Sequence, residues 1–545
     1  MDFKFDKLFY NAKIYTMNKP GETAEAIVVH DGKIVFAGSN ADAALYPVAE
    51  TEDLGGRVGL PGISDTHIHL LADCNNKDFV VLNKAGSVDE LVATMRSRDD
   101  GGKNWLIGCD LTMSDLAENR YPLRHELDRV SSERPVAILS HCLHVIMVNS
   151  KAIAMAGLTK ENTAGDSTLT FYEDGTPDGV VREEAYTKHF IAVLGDTLAG
   201  EECRKEIIRK HIGAYSRQGY TTLHAISSYD IDPPYEYFDQ YYELEREGIL
   251  PVRVIINSAH FPDALNCVTG FGTDMVKAGA KKIYLDGSFG GLTAGMREAY
   301  SDAPGEKGSI FFTREELAGL LREAYDHGME ASVHVIGDAA MDRLLDAAED
   351  VYPISDDPIS YEACPEKRLA AAGARRLRVI HASLADSGQI DRLKRLPIIL
   401  DMQPNFIHSD SSFAPERLGE RMKNFMPLRS YIDAGILLTG GSDAPVDPPL
   451  PFLGMECAVT RRSIDGFPVE GLAPEQAISV YEAVSMYTRN AAYCSSEEHL
   501  KGTVSAGKYA DFILIDRDIF EIETTEIHNT HVLKTVVGGR TRWEA

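Results

Sequence analysis

The sequence has few cysteines and no long apolar run, and both absences restrict what the protein can be. Its eight cysteines are spread over 545 residues without a CxxC pair, so we expect reduced, mostly packed thiols and no disulfide framework. The longest apolar runs, such as 512–515, are far shorter than the roughly 20 residues of a membrane span. The first twenty residues contain scattered acids and lysines and no apolar signal core. These absences predict a cytoplasmic protein without a membrane segment.

Positive charge is also scarce. Lysine and arginine number 55 against 83 aspartates and glutamates, a net charge of 55 − 83 = −28. Such a chain repels phosphate backbones and anionic membrane surfaces. The 44% hydrophobic and 25% charged residues are typical of a globular protein with a sizeable core. We therefore expect a small-molecule substrate, no nucleic acid and no membrane partner.

Both ends of the chain are rich in short alternating strands. Residues 3–60 contain KLFYNAKIYTM and AEAIVVHDGKIVFAG, where HDGK predicts a β-hairpin. The last fifty residues repeat this pattern in GKYADFILIDRD and HVLKTVVGGRTRW. We expect a small β-sandwich domain formed from residues 1–60 and 490–545.

Between the two ends, apolar strand-like runs alternate with amphipathic helical segments, which predicts parallel strands covered by helices. The run at 136–142 lies in a long irregular region, about 75–205, that includes the turn-rich NTAGDSTLTFYEDGTPDG. Treating this region as an insertion after the first strand leaves eight strands and predicts an α/β fold with a (β/α)8 TIM barrel over 61–489. The predicted barrel strands are 60–67, 221–227, 252–258, 281–286, 331–336, 376–381, 398–403 and 436–441.

Several of these strands end in residues able to bind a metal or move a proton. Strand periodicity places His67 and His69 of DTHIH on one face, although two solvent-facing histidines would give the same pattern. Later strands end in His334, His381 and Asp443. One such histidine alone would more often be a core residue, but barrel active sites lie at the C-terminal strand ends, where all five would meet. Imidazole and carboxylate ligands favour Zn²⁺, with Mn²⁺, Fe²⁺ or Ni²⁺ as alternatives.

Lys282 is part of a lysine pair that could also be ordinary surface charge. Alternation separates the pair, because Lys281 shares a face with Ile283 whereas Lys282 shares one with Asp286. Only Lys282 would then point into a polar barrel mouth. A protonated lysine is repelled by a cation, so Lys282 can be a ligand only after losing its charge, for example by carbamylation with CO₂.

An ordered series of motifs resembles the amidohydrolase superfamily. It comprises PGISDTHIHL, IYLDGSFGGLTAGMREAY, VHVIGDAAMD, RVIHAS, MQPNFIHSD, GGSDAPVDPPLPFLGMECAVTR and GKYADFILID. The chain is most similar to the branch known as amidohydrolase family 3, typified by N-substituted formamide deformylase. The resemblance covers nearly the whole chain and is more specific for the superfamily than for a substrate.

This resemblance implies a (β/α)8 barrel beside a small β-sandwich, with a centre of one or two metals. Asp443 would be both a ligand and the general base. The resemblance assigns His67 and His69 to the more buried ion. It assigns His334 and His381 to the second ion, and Lys282, as a carbamate, to the bridge between the two ions. Two departures affect the surroundings of the site. Ile380 stands where the branch commonly has a glutamate, and the nearest histidine after the QP motif is His408.

The expected function is hydrolysis of a C–N bond, in an amide or formamide of a small molecule. A divalent ion lowers the pKa of water and polarises a carbonyl, and Asp443 would move the proton from water to the leaving nitrogen. Deamination or opening of a cyclic amide by the same site is an alternative. A catalytically idle metal-binding or regulatory protein is an alternative of another class. The aspartate of GGSDAP argues against it, because an idle site would have no need to keep its proton carrier. A sugar-binding or structural barrel explains none of the strand-end histidines.

Six further residues are candidates for substrate contacts, and each could equally pack or face solvent. WLIGCD and HVIMVNS resemble pocket-lining segments of the branch, and Arg297 could meet a carboxylate, with Glu298 as an alternative partner. The candidates are Trp105, Asp110, His144, His224, Arg297 and His408. Symmetric homodimers are the commonest oligomers, so a homodimer is the expectation for assembly.

Overall fold

The structure is a computed structural model that divides into two compact units. The first unit comprises residues 1–70, 209–228 and 234–545, and the second comprises 71–208 and 229–233. Among the described residues, no helix is both long and apolar enough to cross a membrane. The structure describes residues 3–99, 101, 105–113, 116–140, 145–163, 168–182, 185, 187–191, 201–227, 236–262, 266–354 and 375–545.

The strands of the described residues fall into three sheets. In chain order they are β1 (Phe5–Tyr15), β2 (Thr23–Ala24), β3 (Ala26–His30), β4 (Lys33–Gly38), β5 (Val48–Pro61), β6 (Ile63–Ile68), β7 (Val80–Val81), β8 (Leu106–Leu111), β9 (Val136–Ser140), β10 (Val145–Val148), β11 (Leu169–Phe171), β12 (Pro177–Arg182), β13 (Tyr220–Ser227), β14 (Arg253–Ser258), β15 (Val276–Tyr284), β16 (Ala331–Val335), β17 (Leu377–His381), β18 (Ile398–Met402), β19 (Leu437–Gly440), β20 (Phe512–Ile515), β21 (Val532–Val537) and β22 (Arg540–Glu544).

Along the chain, the α-helices lie mostly between barrel strands. They span Asn40–Ala43, Leu70–Asn76, Val88–Ser97, Arg124–Leu127, Ser150–Met155, Glu201–His211, Gly213–Arg217, Glu236–Arg246, Arg314–Asp326, Asp338–Glu349, Ser387–Leu393, Phe406–Ser409, Ala414–Leu418, Leu428–Asp433, Pro451–Thr460 and Val480–Tyr487. Those after β15, β16 and β17 each bury an apolar face, as expected for helices that cover a parallel sheet.

Both chain ends contribute to one sheet of the first unit, here called the composite sheet, with strand order β22-β21-β20-β5-β1-β3-β4 and β2 paired with β1. C-terminal β20 pairs antiparallel with N-terminal β5, so that Ile513 lies opposite Leu60. The predicted HDGK hairpin is confirmed, since Asp31 and Gly32 both have positive φ, as a type I′ turn requires. The strands form one continuous sheet, and the two-layer sandwich stays a prediction.

The barrel consists of eight parallel strands, β6 and β13 to β19, paired in chain order. Its ends meet where the amide of Asp443 donates to the carbonyl of His67 at 2.7 Å. The predicted number of strands is confirmed. The predicted first strand began too early, because residues 60–61 belong to β5, and Gly62 separates the two strands. A Cβ on Gly62 would lie 2.2 Å from Oγ1 of Thr221, so this link between sheet and barrel requires glycine.

The fourth barrel strand, β15, begins at Val276, five residues before its predicted start. Lysines at 277, 281 and 282 interrupt the apolar pattern and conceal the strand in the sequence. The charge of Lys277 is paired within the protein, because its Nζ lies 2.6 Å from Glu497.

The second unit contains a six-stranded sheet of order β11-β12-β10-β9-β8-β7. Residues 136–140 of the run at 136–142 form β9 of this sheet, so the exclusion of this run from the barrel is confirmed. The expectation of an irregular region was wrong, because the unit has apolar clusters of its own. The described part of the turn-rich stretch from 168 onward contributes to the hairpin β11–β12, with Gly175 at φ 77° and Thr176 donating to the Asp174 carboxylate.

Candidate metal centre

Two histidines of the first barrel strand meet the aspartate that follows the last strand. His67 lies in β6, His69 directly after it, and Asp443 three residues after β19. Oδ1 of Asp443 lies 3.1 Å from Nε2 of His67 and 3.3 Å from Nε2 of His69. The structure thus brings together the HxH pair and the distant GSDAP aspartate around one oxygen atom.

The two later histidines lie beside this group. Nε2 of His381 is 3.0 Å from Nδ1 of His334, and the rings of His381 and His67 are 5.6 Å apart. The Phe406 ring lies nearly parallel to that of His381, with 5.7 Å between the ring centres. One ligand atom each from His67, His381 and Asp443 lies within 4.8 Å of the others. The C-terminal ends of β6, β16, β17 and β19 therefore converge on a single site.

Lys282 lies close to the same site, since its charge acts on His67, His334 and Asp443. Its side chain is buried, and Nζ lies 4.5 Å from the centre of the Tyr284 ring. Nζ finds no hydrogen-bond acceptor in the part of the chain that the structure describes. Lys281 points the other way, where Nζ donates to the Phe261 carbonyl at 2.8 Å and lies 3.1 Å from Glu323.

The residues present fit a divalent metal ion. Three buried polar atoms at the site have no hydrogen-bond partner among the described residues: Nδ1 of His67, Nδ1 of His381 and Nζ of Lys282. Leaving such a group unsatisfied costs about 1–3 kcal/mol, and a bound ligand at this site would offset that cost. Imidazole nitrogens and carboxylate oxygens are the donors that Zn²⁺ and its neighbours prefer.

Burial sets the protonation states that metal binding needs. It lowers the pKa of His67 and His381 below the usual range and that of His334 to about 4, so these histidines are neutral at neutral pH. Burial likewise lowers the pKa of Lys282 to about 7. For Asp443 burial acts in the opposite direction, but the adjacent histidines hold its pKa well below the usual range, so it is an anion.

The backbone is strained where two of these residues leave their strands. His381 has φ 70° and Asp443 has φ 59°, in the left-handed region that non-glycine residues rarely adopt. Such conformations cost about 1–3 kcal/mol each and persist only where the surrounding structure enforces them. Both side chains are thereby turned from the strand direction into the site.

Asp65 lies in the first barrel strand with His67 and supports the site through hydrogen bonds. Its carboxylate accepts hydrogen bonds from the Ser442 amide at 3.0 Å, the Ser442 hydroxyl at 2.6 Å and the His67 amide at 3.1 Å. It thus joins the first and last strands beside His67 and Asp443. An aspartate within the buried run before HxH was the only sequence signal for it.

A second buried layer lies beneath the histidines. The guanidinium of Arg378, fully buried in β17, donates to the Thr66 carbonyl at 2.7 Å and to Asp401. Asp401 also accepts from the Thr66 hydroxyl. Sequence analysis missed this ion pair, whose signal was a charged residue in each of two otherwise apolar strands. It fixes the residue that precedes His67.

The substrate candidates of the first unit differ in their surroundings. His224 is fully buried, with Nδ1 3.5 Å from the Arg378 guanidinium, and does not face solvent. Nδ1 of His408 lies 2.7 Å from the Ser463 hydroxyl. Arg297 is partly exposed and its guanidinium is held by two aspartates, Asp342 and Asp386, rather than by Glu298. This arrangement is that of a structural ion pair, and it leaves a substrate role for Arg297 without support.

The remaining candidates belong to the second unit or lie outside the described residues. Trp105 is buried in an apolar cluster with Ile107 and Ile146. Asp110 has φ 62° and accepts a hydrogen bond from the Asn83 amide at 2.7 Å. His144 lies outside the described residues. The roles of these three residues stay predictions.

Eight parallel strands with histidine, aspartate and lysine side chains at their C-terminal ends define a barrel with a candidate metal centre. Comparison with known families identifies the family to which this barrel belongs, since the amidohydrolase family model matches residues 50–542. The chain belongs to the amidohydrolase family and is a hydrolase, which confirms the resemblance found in the sequence motifs.

Individual relatives span nearly the whole chain. The "Putative amidohydrolase YtcJ" of Bacillus subtilis is 32% identical over 98% of this chain and 99% of its own. N-substituted formamide deformylase of Arthrobacter pascens is 26% identical over 99% of this chain and 98% of its own. A crystal structure of an uncharacterized metal-dependent hydrolase from Pyrococcus horikoshii is similar, with a TM-score of 0.80 and 26% identity, and covers 95% of this chain and 99% of the other.

Proposed function

We propose that the chain hydrolyses the C–N bond of an amide or formamide in a small molecule. The observation that carries the proposal is the buried Asp443 carboxylate, whose Oδ1 lies 3.1 Å from Nε2 of His67 and 3.3 Å from Nε2 of His69. The similarity to N-substituted formamide deformylase supports the choice of bond.

The site would hold one or two divalent metal ions, of which zinc best suits the donors. When bound, such an ion lowers the pKa of a water molecule and polarises the substrate carbonyl. With its pKa at about 7, a share of Lys282 is neutral at neutral pH, and only the neutral amine adds to CO₂. Carbamylation forms an N–C bond and releases a proton, converting Lys282 into an anionic ligand. The ligands would be His67, His69, Lys282, His334, His381 and Asp443.

Asp443 carries the proton through the reaction. Its carboxylate is anionic before reaction and accepts a proton from the attacking water. A C–O bond forms at the carbonyl carbon, the C–N bond breaks, and Asp443 returns the proton to the leaving nitrogen. The products are a carboxylic acid, formic acid in the case of a formamide, and an amine.

A substrate panel with mass detection tests the proposed reaction on metal-replete enzyme. We expect an amine and an acid from an amide or formamide, with one water added in total. Release of ammonia from an amino-substituted ring would instead support deamination, and ring opening without loss of a fragment would support a cyclic amide. If a ligand bound tightly and no member of the panel turned over, the idle regulatory alternative would replace the proposal.

Asp443→Asn tests the proton carrier. Because the amide cannot accept the proton, we expect kcat to fall by about 10²–10⁴-fold. Asp391→Asn is the matched control, since Asp391 is a surface residue paired with Lys394, and its kcat should be unchanged. A kcat of Asp443→Asn within threefold of the wild type, roughly the scatter of such comparisons, would remove Asp443 from the mechanism.

A further inference from the structure

A cavity of about 910 Å³ lies where the composite sheet meets the barrel. Its walls include the β21–β22 hairpin, the β3–β4 turn and Arg253, the first residue of β14. Arg253 lies at the N-terminal end of a barrel strand, whereas the candidate metal centre occupies the C-terminal ends. The cavity therefore belongs to the opposite face of the barrel.

Two arginines of the edge strand β22 line this cavity, and neither has an ionic partner among the residues that the structure describes. Arg540 and Arg542 are two residues apart, which places them on one face of the strand. By contrast, Arg253 in the same wall binds Asp511 through two hydrogen bonds of 2.7 and 3.0 Å. No carboxylate of the described residues lies within ion-pair distance of Arg540 or Arg542, and Nε of Arg542 is buried without a partner. This is unexpected in a chain with 83 acidic residues.

The acidic residues of the cavity do not neutralise these arginines. Asp6 accepts from the Asp31 amide at 2.7 Å and lies 3.0 Å from Nδ1 of His30, and Asp274 accepts from a tyrosine hydroxyl at 2.6 Å. The side chains of Asp31 and Glu50 are 89% and 72% exposed, so water solvates their charges. Arg542, by contrast, is only partly exposed, so its charge is less solvated than those of Asp31 and Glu50.

The hairpin holds the arginines in place. Gly538 and Gly539 both have positive φ and form the two-residue turn that opposes Val537 to Arg540. A Cβ on Gly539 would lie 2.6 Å from the Val29 side chain, so the turn packs closely on β3. Arg540 thus leaves a rigid turn at the cavity wall. Burial, and then the charges of Arg540 and Arg253, lower the pKa of Arg542, which shows that the cations act on one another.

We propose that Arg540 and Arg542 bind a small oxyanion of two or more negative charges, such as phosphate or a dicarboxylate. Each guanidinium presents a planar fork that matches two oxygens of such an anion. Residues two apart on a strand are separated by about 7 Å, a span that two long arginine side chains bridge when they converge on one ligand. The bound anion would link the C-terminal edge strand to the β3–β4 turn and stabilise the composite sheet.

Isothermal titration of the full chain with inorganic phosphate and, separately, with succinate tests this site at constant ionic strength. We expect one saturable site for at least one anion, and the anion that binds identifies the class of ligand. Arg540→Gln and Arg542→Gln should each weaken it by about tenfold or more, because a charged fork is lost. Arg517→Gln is the control, since Arg517 belongs to the same domain but pairs with Asp516.

Two results would overturn the proposal. One is the absence of saturable binding for both anions. The other is an unchanged titration in both arginine variants, which would place the binding at the candidate metal centre or elsewhere. Arg540 is exposed, so its variant tests the site even if Arg542→Gln folds poorly. Amide hydrolysis is not a readout here, so failure of the proposed function would leave this test intact.

Discussion

Two adjacent lysines show how position within a strand decides chemistry at the scale of the residue. Lys281 and Lys282 have the same side chain and similar burial, yet they lie on opposite faces of β15. Lys281 faces Glu323 and the Phe261 carbonyl, which stabilise its positive charge. Lys282 faces neutral histidines, and burial lowers its pKa to about 7. The same residue type is a structural cation at one position and a candidate ligand at the next.

We predict that Lys282→Met lowers the metal content of the purified enzyme and abolishes most of its activity, because the proposed bridging ligand is lost. Elemental analysis should show loss of about one metal equivalent per chain, as expected when a shared ligand is removed. Lys281→Met is the matched control and should keep its metal, although it loses the ion pair with Glu323. Equal metal contents in the two variants would make Lys282 an ordinary buried lysine.

The same lysine predicts a pH dependence of stability in enzyme stripped of metal and CO₂. Below about pH 7 Lys282 is protonated in the folded and unfolded states, and the cost of burying its charge is full. Between about pH 7 and its ordinary pKa of 10.5 the unfolded state binds more protons, so the free energy of unfolding rises with pH. The slope is at most about 1.4 kcal/mol per pH unit. Urea unfolding at about pH 7 and 9 should show this increment in wild type but not in Lys282→Met.

At the scale of the element, the site depends on closure between the first and last barrel strands. Asp65 of β6 accepts both hydrogen bonds offered by Ser442, just after β19. The approach is close, since a Cβ on Gly441 would lie 2.7 Å from the amide nitrogen of His67 and 3.0 Å from its Cβ. The contact that closes the barrel therefore also fixes the position of His67, a candidate ligand.

We predict that Gly441→Ala displaces His67 and lowers metal content and kcat together, because the added methyl group contacts backbone that cannot move independently. Gly319→Ala is the control, since Gly319 lies in the helix Arg314–Asp326 with open space around its Cα. That change should raise stability by about 0.5–1 kcal/mol through helix propensity. Unaltered metal content in Gly441→Ala would show that β6 and β19 can separate without loss of the site.

At the scale of the whole first unit, the composite sheet and the barrel are joined by a buried ion pair. Arg253 begins barrel strand β14, Asp511 precedes β20, and their side chains are 4% and 6% exposed. The Asp511 carboxylate also accepts from the Gly538 amide at 2.7 Å. The pair thus connects the C-terminal strands, the hairpin and the barrel.

We predict that Asp511→Ala destabilises the protein by about 3–5 kcal/mol, because it leaves the Arg253 charge buried and unpaired. The midpoint of urea unfolding should fall, while the kcat of the fraction that remains folded should not change. Arg517→Ala removes a surface partner of Asp516 and should cost less than about 1 kcal/mol. Similar losses in the two variants would contradict the assignment of the Arg253 pair as a structural link.

Local sequence patterns predicted much of the architecture. Apolar runs separated by amphipathic helices predicted eight barrel strands, and the HDGK turn predicted the hairpin that the structure contains. The boundaries were less accurate where lysines interrupt β15 and where Pro61 ends one strand directly before the next. Local patterns reveal that a strand exists more reliably than where it starts, because its ends depend on the neighbour it pairs with.

The sequence by itself determined the barrel, the family resemblance and the residues that end its strands, because these follow from local periodicity and from the order of motifs. Only the tertiary structure decided which side chains meet. It placed Asp443 beside His67, 376 residues away in the sequence, and Asp65 beside Ser442. It paired Arg297 with two aspartates and placed no carboxylate of the described residues within ion-pair distance of Arg540. These contacts depend on barrel closure and on strand register. Both bring together residues that are far apart in the sequence, so no local sequence pattern predicts the contact.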